Sequence, residues 1–87
     1  MDEQLLQKIQ QKILDTISSK DDIKSLIQSL STIDDSKSFA MGIVVGRLYN
    51  AFYYQSKRIL NREPSKKEFK EFLEFVKTKK SDLEHLW

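Results

Sequence analysis

One stretch limits what this chain can become: Phe39 to Tyr54, FAMGIVVGRLYNAFYY, where the only formal charge is Arg47 and the only side-chain amide is Asn50. It reads as the middle of a long helix. At 3.6 residues per turn, Met41, Val45, Leu48, Phe52 and Ile59 fall in one broad stripe, and Gly42, Gly46, Tyr49 and Tyr53 fall in the next. Phe39, Ile43 and Asn50 continue around, which leaves Arg47, Tyr54 and Arg58 as the one face carrying charge. A surface helix is apolar on roughly a third of its circumference. This one is apolar on far more, so cover is expected from several sides: the chain's other helices, and a second copy of the chain or another partner.

Gly42 and Gly46 sharpen that expectation. Each glycine costs a helix about 1 kcal/mol relative to alanine. Four residues apart, the two open one smooth groove where another backbone approaches closely. Either a helix of the same chain or a second copy fills it, with Gly42, Gly46, Tyr49 and Tyr53 as the seam. A membrane span is not expected, because the run is shorter than the ~20 apolar residues a bilayer requires and Arg47 interrupts it.

The remaining pattern is also helical. With 2 Gly and 1 Pro in 87 residues, long helices are expected and a many-turned β fold is not, and a single core is all the length supports. A first helix is expected over Asp2–Ser18, with Leu5, Leu6, Ile9, Ile13 and Ile17 on one face and Leu14 beside it. A second is expected over Asp21–Leu30, built on Ile23, Leu26, Ile27 and Leu30 and capped by Ser19 or Asp21. Asp34–Ser38 is a polar linker with Ser36 and Ser38 as candidate caps for the central helix, which runs to Leu60 or Asn61.

The sharpest boundary follows. Pro64 pushes Glu63 out of the helical region, and Ser65 with Glu68 forms a capping box that starts a fourth helix reaching Lys79. Its face carries Phe69, Phe72, Leu73 and Val76, with Lys67–Glu71 and Lys70–Glu74 as flanking ion pairs. The run Arg62-Glu63-Pro64-Ser65 resembles the R-E-P-T helix start of sigma factors and of some other helix-turn-helix regions. Turn and cap chemistry accounts for those residues, and no function is carried over. Ser81 with Glu84 reads as a second capping box before a short last turn, and Trp87 as a packed lid. The expected fold is therefore all-α: one domain over residues 1–87, a four-helix bundle with a long central third helix and a short C-terminal helical turn.

Chemistry is sparse. No Cys is present and the single His85 stands in Asp82-x-x-His85, whereas carboxylate-bridged bundle sites use two Glu-x-x-His motifs and further carboxylates. Asp21-Asp22 and Asp34-Asp35 are neighbours that point about 100° apart on a helix, so they do not converge. No phosphate loop or nucleophile motif occurs. No catalysis, cofactor or metal site is expected. The cysteine-free composition and the acidic, polar start MDEQLLQK fit a cytoplasmic protein without a secretory signal.

Charge is unevenly spread. The net charge is +2, but residues 1–35 hold four lysines against seven acidic residues, net −3, and residues 36–87 are net +5. Two functions follow. The first is a non-catalytic interaction protein, homodimeric through the central helix at 39–60. The alternative is a nucleic-acid-binding module on residues 47–70, where Arg47, Lys57, Arg58, Arg62, Lys66, Lys67 and Lys70 face phosphates and Tyr54 stacks on bases. Arg47 itself must reach the surface, meet a carboxylate (Asp34, Asp35, Glu71 or Glu74), or cross the dimer seam.

Overall fold

A computed structural model describes residues 1–30 and 34–87. Four helices follow in order, α1 (Glu3–Ser18), α2 (Lys20–Ser29), α3 (Ser36–Leu60) and α4 (Lys66–Glu84), with no strand among the described residues. The fold is all-α and built on α3, against which α1, α2 and α4 each pack, while α1 also touches α2. At 1.5 Å per residue α3 is about 37 Å long, so it alone accounts for most of the 40 Å axis of a 40 × 20 × 19 Å molecule. No helix among the described residues is long and apolar enough to cross a membrane.

Cap chemistry sets the ends. Asp2 caps α1 by accepting from the Leu5 N–H at 2.9 Å. A single residue, Ser19, separates α1 from α2, and its N–H donates back to the Asp15 and Thr16 carbonyls. Its side chain makes no cap bond. At α3 the cap is Asp35 rather than Ser36 or Ser38: its carboxylate accepts from the Ser38 N–H at 3.0 Å and the Ser38 hydroxyl at 2.7 Å. A carboxylate takes two donors at once and favours the positive end of the helix dipole, which a serine hydroxyl does not match. The Ser38 bonds in turn hold the Asp35 carboxyl below its ordinary pKa.

The turn between α3 and α4 follows the sequence closely. Asn61 adopts the left-handed conformation at φ 60° and closes α3. Ser65 and Glu68 form the reciprocal capping box. Arg62 then grips Glu68 with both terminal nitrogens, at 2.6 and 3.2 Å. The hydrogen bond from Arg62, with that from the Ser65 N–H, pulls the Glu68 carboxyl down to about 2.

The far end of α4 departs from expectation. The second capping box does not form, and α4 continues through Ser81 to Glu84 with the terminal turn as its extension. The Ser81 carbonyl accepts from the His85 N–H, and the His85 ring Nδ1 donates to it at 2.7 Å. Thr78, Lys79 and Lys80 carry no proline or glycine to stop a helix, so an internal serine is tolerated. The flanking ion pairs also differ. Glu71 meets the N-terminal amine of Met1, and Glu74 accepts from Lys77 at 3.2 Å.

The larger core cluster joins Leu5, Ile9 and Ile13 of α1, Val44, Leu48 and Phe52 of α3, and Phe72 and Leu83 of α4. Phe52 and Phe72 stack face to face, 4.4 Å between centroids and 3° from parallel. A smaller cluster joins Ile23 and Ile27 of α2 to Ala40, and Trp87 packs against both clusters as a lid. Each fully buried aliphatic or aromatic side chain stabilises the fold by about 1.5–3 kcal/mol before entropy is counted. The faces differ in phase from the sequence reading. In α1, Thr16 is buried while Leu14 and Ile17 are exposed; Leu26 of α2 and Leu30 just after it are exposed.

The largest correction concerns α3. Its buried stripe is Ala40, Val44, Leu48, Phe52 and Ser56, one i, i+4 row. The neighbours bury that row and half-bury Met41, Ile43, Arg47, Ala51 and Tyr53, while seven of the sixteen residues from 39 to 54 are exposed. Among the described residues the expected wrapping on several sides is incomplete: α1, α2 and α4 leave Phe39, Gly42, Val45, Gly46, Tyr49, Asn50 and Tyr54 exposed.

Candidate protein–protein interface on the central helix

The uncovered side of α3 carries the glycines. Among the described residues, a Cβ built at Gly42 or at Gly46 meets nothing within 4 Å, so no described helix sits closely against either glycine. Apolar side chains rim the groove: Phe39 is 40 % exposed, Val45 38 % and Tyr49 46 %. Leu73 of α4, 42 % exposed, stands one turn from both Phe69 and Val76 on the same flank.

Aromatic contacts fix the shape of this flank. The Tyr49 ring lies 4.9 Å from Tyr53 and meets Phe69 edge-on at 6.3 Å. Tyr53 in turn stands edge-on to Phe52, 5.8 Å away, and Phe52 is locked by its stack on Phe72. The seam tyrosines are thus braced from the core and present one rigid side to solvent. Rigid aromatic anchors beside a smooth backbone suit docking, because little side-chain freedom is lost on binding. Of the four seam residues, Gly42, Gly46 and Tyr49 are exposed and Tyr53 is half-buried. Phe39, Val45 and Leu73 join the same surface. Sequence reasoning had put Val45 and Leu73 on core faces, and only the phase of the buried stripe separates them from it.

The basic and aromatic set of residues 47–70 is spread over two sides. Arg47 and Tyr54 lie toward α1. Arg47 Nε donates to the buried Thr16 hydroxyl at 3.3 Å, and Tyr54 lines a 350 Å³ cleft with Lys8, Lys12 and Asp15. None of the four expected carboxylates pairs with Arg47 among the described residues. Its half-buried guanidinium is held by a hydroxyl instead. Lys66 and Lys70 lie toward the α3–α4 turn, around a 270 Å³ recess with Tyr53, Pro64 and Phe69. Two cations are already engaged: Arg62 by Glu68, and Lys57 by Glu63 at 3.6 Å. Arg58 and Lys67 are exposed.

A third recess runs between the first turns of α3 and the last turns of α4, with Met41, Val45, Val76 and Leu83 among its walls and a volume of 430 Å³. Comparison with protein-family models, with curated proteins and with solved structures finds no match to this chain.

Proposed function

We propose that the chain is a small non-catalytic interaction protein that pairs with a second copy of itself through α3. One observation supports this above the others: among the described residues the glycine groove is empty, and exposed Phe39, Val45 and Tyr49 stand beside it on α3. Two glycines that together cost a helix about 2 kcal/mol serve no packing purpose within the described residues. A second α3 crossing at Gly42 and Gly46 would use them, and its own Phe39, Val45 and Tyr49 would cover the rim in return, as two-fold symmetry requires. A domain of this size gains stability from such pairing. The cysteine-free chain suits a cytoplasmic setting on the same reading.

The test is a melting temperature measured across a hundredfold range of protein concentration. Pairing makes it rise with concentration; a flat profile together with a monomeric mass by light scattering rejects the proposal.

A second reading, nucleic-acid binding, draws on the recess where Lys66 and Lys70 flank Tyr53 and Phe69. Stacking and phosphate contact are both available there. Retention on an immobilised polyanion that collapses with added salt supports it; passage without retention at low salt removes it.

A further inference from the structure

We infer that the recess at the α3–α4 turn seats one unpaired base of a single-stranded nucleic acid, with Lys66 and Lys70 on the phosphates beside it. The inference rests on the nucleic-acid reading of the same recess and narrows it to single strands. The walls are Tyr53 from α3, and Pro64, Ser65, Lys66, Phe69 and Lys70 from the turn and the start of α4. Tyr53 and Phe69 are half-buried, so each keeps some ring surface open. Both are braced from behind, Tyr53 edge-on to Phe52 at 5.8 Å and Phe69 edge-on to Tyr49 at 6.3 Å. Lys66 and Lys70 are exposed and stand one helical turn apart on α4.

Charge selects an anion. No acidic side chain lines the recess, and the carboxylates around it are engaged elsewhere. Glu63 pairs with Lys57 at 3.6 Å, Glu68 with Arg62 at 2.6 Å, Glu74 with Lys77 at 3.2 Å, and Glu71 with the Met1 amine. Lys66 and Lys70 have no carboxylate partner among the described residues. The rings select a base on that anion. A phosphate alone has no use for an aromatic wall, and a duplex keeps its base faces stacked inside. An unpaired base offers both faces, and stacking on an aromatic side chain adds to phosphate contact whatever the sequence. The recess, 270 Å³, is smaller than the ~300–1,000 Å³ of sites that enclose a whole small ligand. It suits one ring held as part of a longer strand.

The experiment titrates the full chain into labelled decathymidylate at low salt and reads anisotropy. The comparison probes are an abasic strand of equal length, the duplex with decadeoxyadenylate, and poly-glutamate. Phosphate attraction alone favours the duplex, which carries twice the charge. The expected order is the reverse, with the single strand at least about fivefold tighter than the abasic strand or the duplex. On the wild-type chain the Tyr53 and Phe69 ring resonances should move upfield with decathymidylate and stay in place with the abasic strand. The double variant Lys66→Gln, Lys70→Gln should flatten the slope of log affinity against log salt by about 1.4, roughly 0.7 per phosphate. Lys8→Gln, Lys24→Gln, which removes equal charge from exposed positions on α1 and α2, should leave that slope unchanged. Equal binding of the abasic strand, or tighter binding of the duplex, overturns the single-strand inference and leaves nucleic-acid binding standing. No binding of any of the three at low salt removes both. Poly-glutamate bound as tightly as decathymidylate also overturns the inference, because the recess is then a surface for acidic protein segments.

Discussion

At the residue scale, Gly46 separates two effects that usually travel together. With open space where its Cβ would stand, Gly46→Ala should stabilise the isolated chain by about 1 kcal/mol through helix propensity alone. The same methyl stands in the seam and should weaken pairing. Thermal melts at low and at high concentration read the two separately: the variant melts higher when dilute and loses the concentration dependence. Arg47 is a milder case. The Thr16 hydroxyl it contacts already donates to the Lys12 carbonyl at 2.8 Å, so Arg47→Ala leaves no buried donor orphaned. A loss of about 1 kcal/mol or less is expected by chemical denaturation; a loss several times larger would mean the guanidinium has a partner across the seam.

Glu68 carries the one strong pH signal. Its folded pKa of about 2 lies below the ordinary glutamate value of 4.5, so the unfolded chain binds the proton more readily. The stabilisation is complete above the unfolded value and is lost as pH falls from there through about 2. Glu68→Gln keeps the shape of the capping box but gives up the charge held by Arg62. It should cost about 1–2 kcal/mol at neutral pH and flatten the acid limb of a stability–pH curve. An unchanged limb would assign the acid sensitivity to other carboxylates.

At the scale of the elements, the α3–α4 pair is the joint most sensitive to substitution. Phe52 and Phe72 are both almost fully buried in their stack. Phe72→Ala should cost about 3–5 kcal/mol, seen as a large drop in denaturation midpoint with loss of near-ultraviolet dichroism. How far these elements were legible depended on whether local chemistry determined them. The Ser65–Glu68 box and the Asn61 stop are decided within a few residues, and both appear in the sequence as they do in the fold. The Ser81–Glu84 box has the same letters but lacks a proline to break the preceding turn, so the helix runs through it. The buried row of α3 was hidden for the opposite reason. An almost uncharged helix offers apolar residues at every angle, and pattern alone fixes no phase. Packing against α1, α2 and α4 sets the row at Ala40, Val44, Leu48, Phe52 and Ser56.

At the scale of the whole molecule, three helices pack on a rod about 37 Å long and leave seven of its sixteen residues from 39 to 54 exposed. The glycine seam was visible in the sequence as a groove awaiting a neighbour; which neighbour was not, since spacing looks the same whether the occupant is of the same chain or another. Among the described residues nothing of the same chain comes within 4 Å of a Cβ at either glycine, and the seam proposal rests on that. Sedimentation equilibrium of the wild-type chain and of Gly46→Leu, over a wide concentration range, tests this most directly. The account predicts that the wild type approaches twice the chain mass as concentration rises, while Gly46→Leu stays at one chain mass with its helical dichroism unchanged. A wild-type chain that remains a monomer throughout, or a Gly46→Leu variant that pairs as tightly, would contradict it.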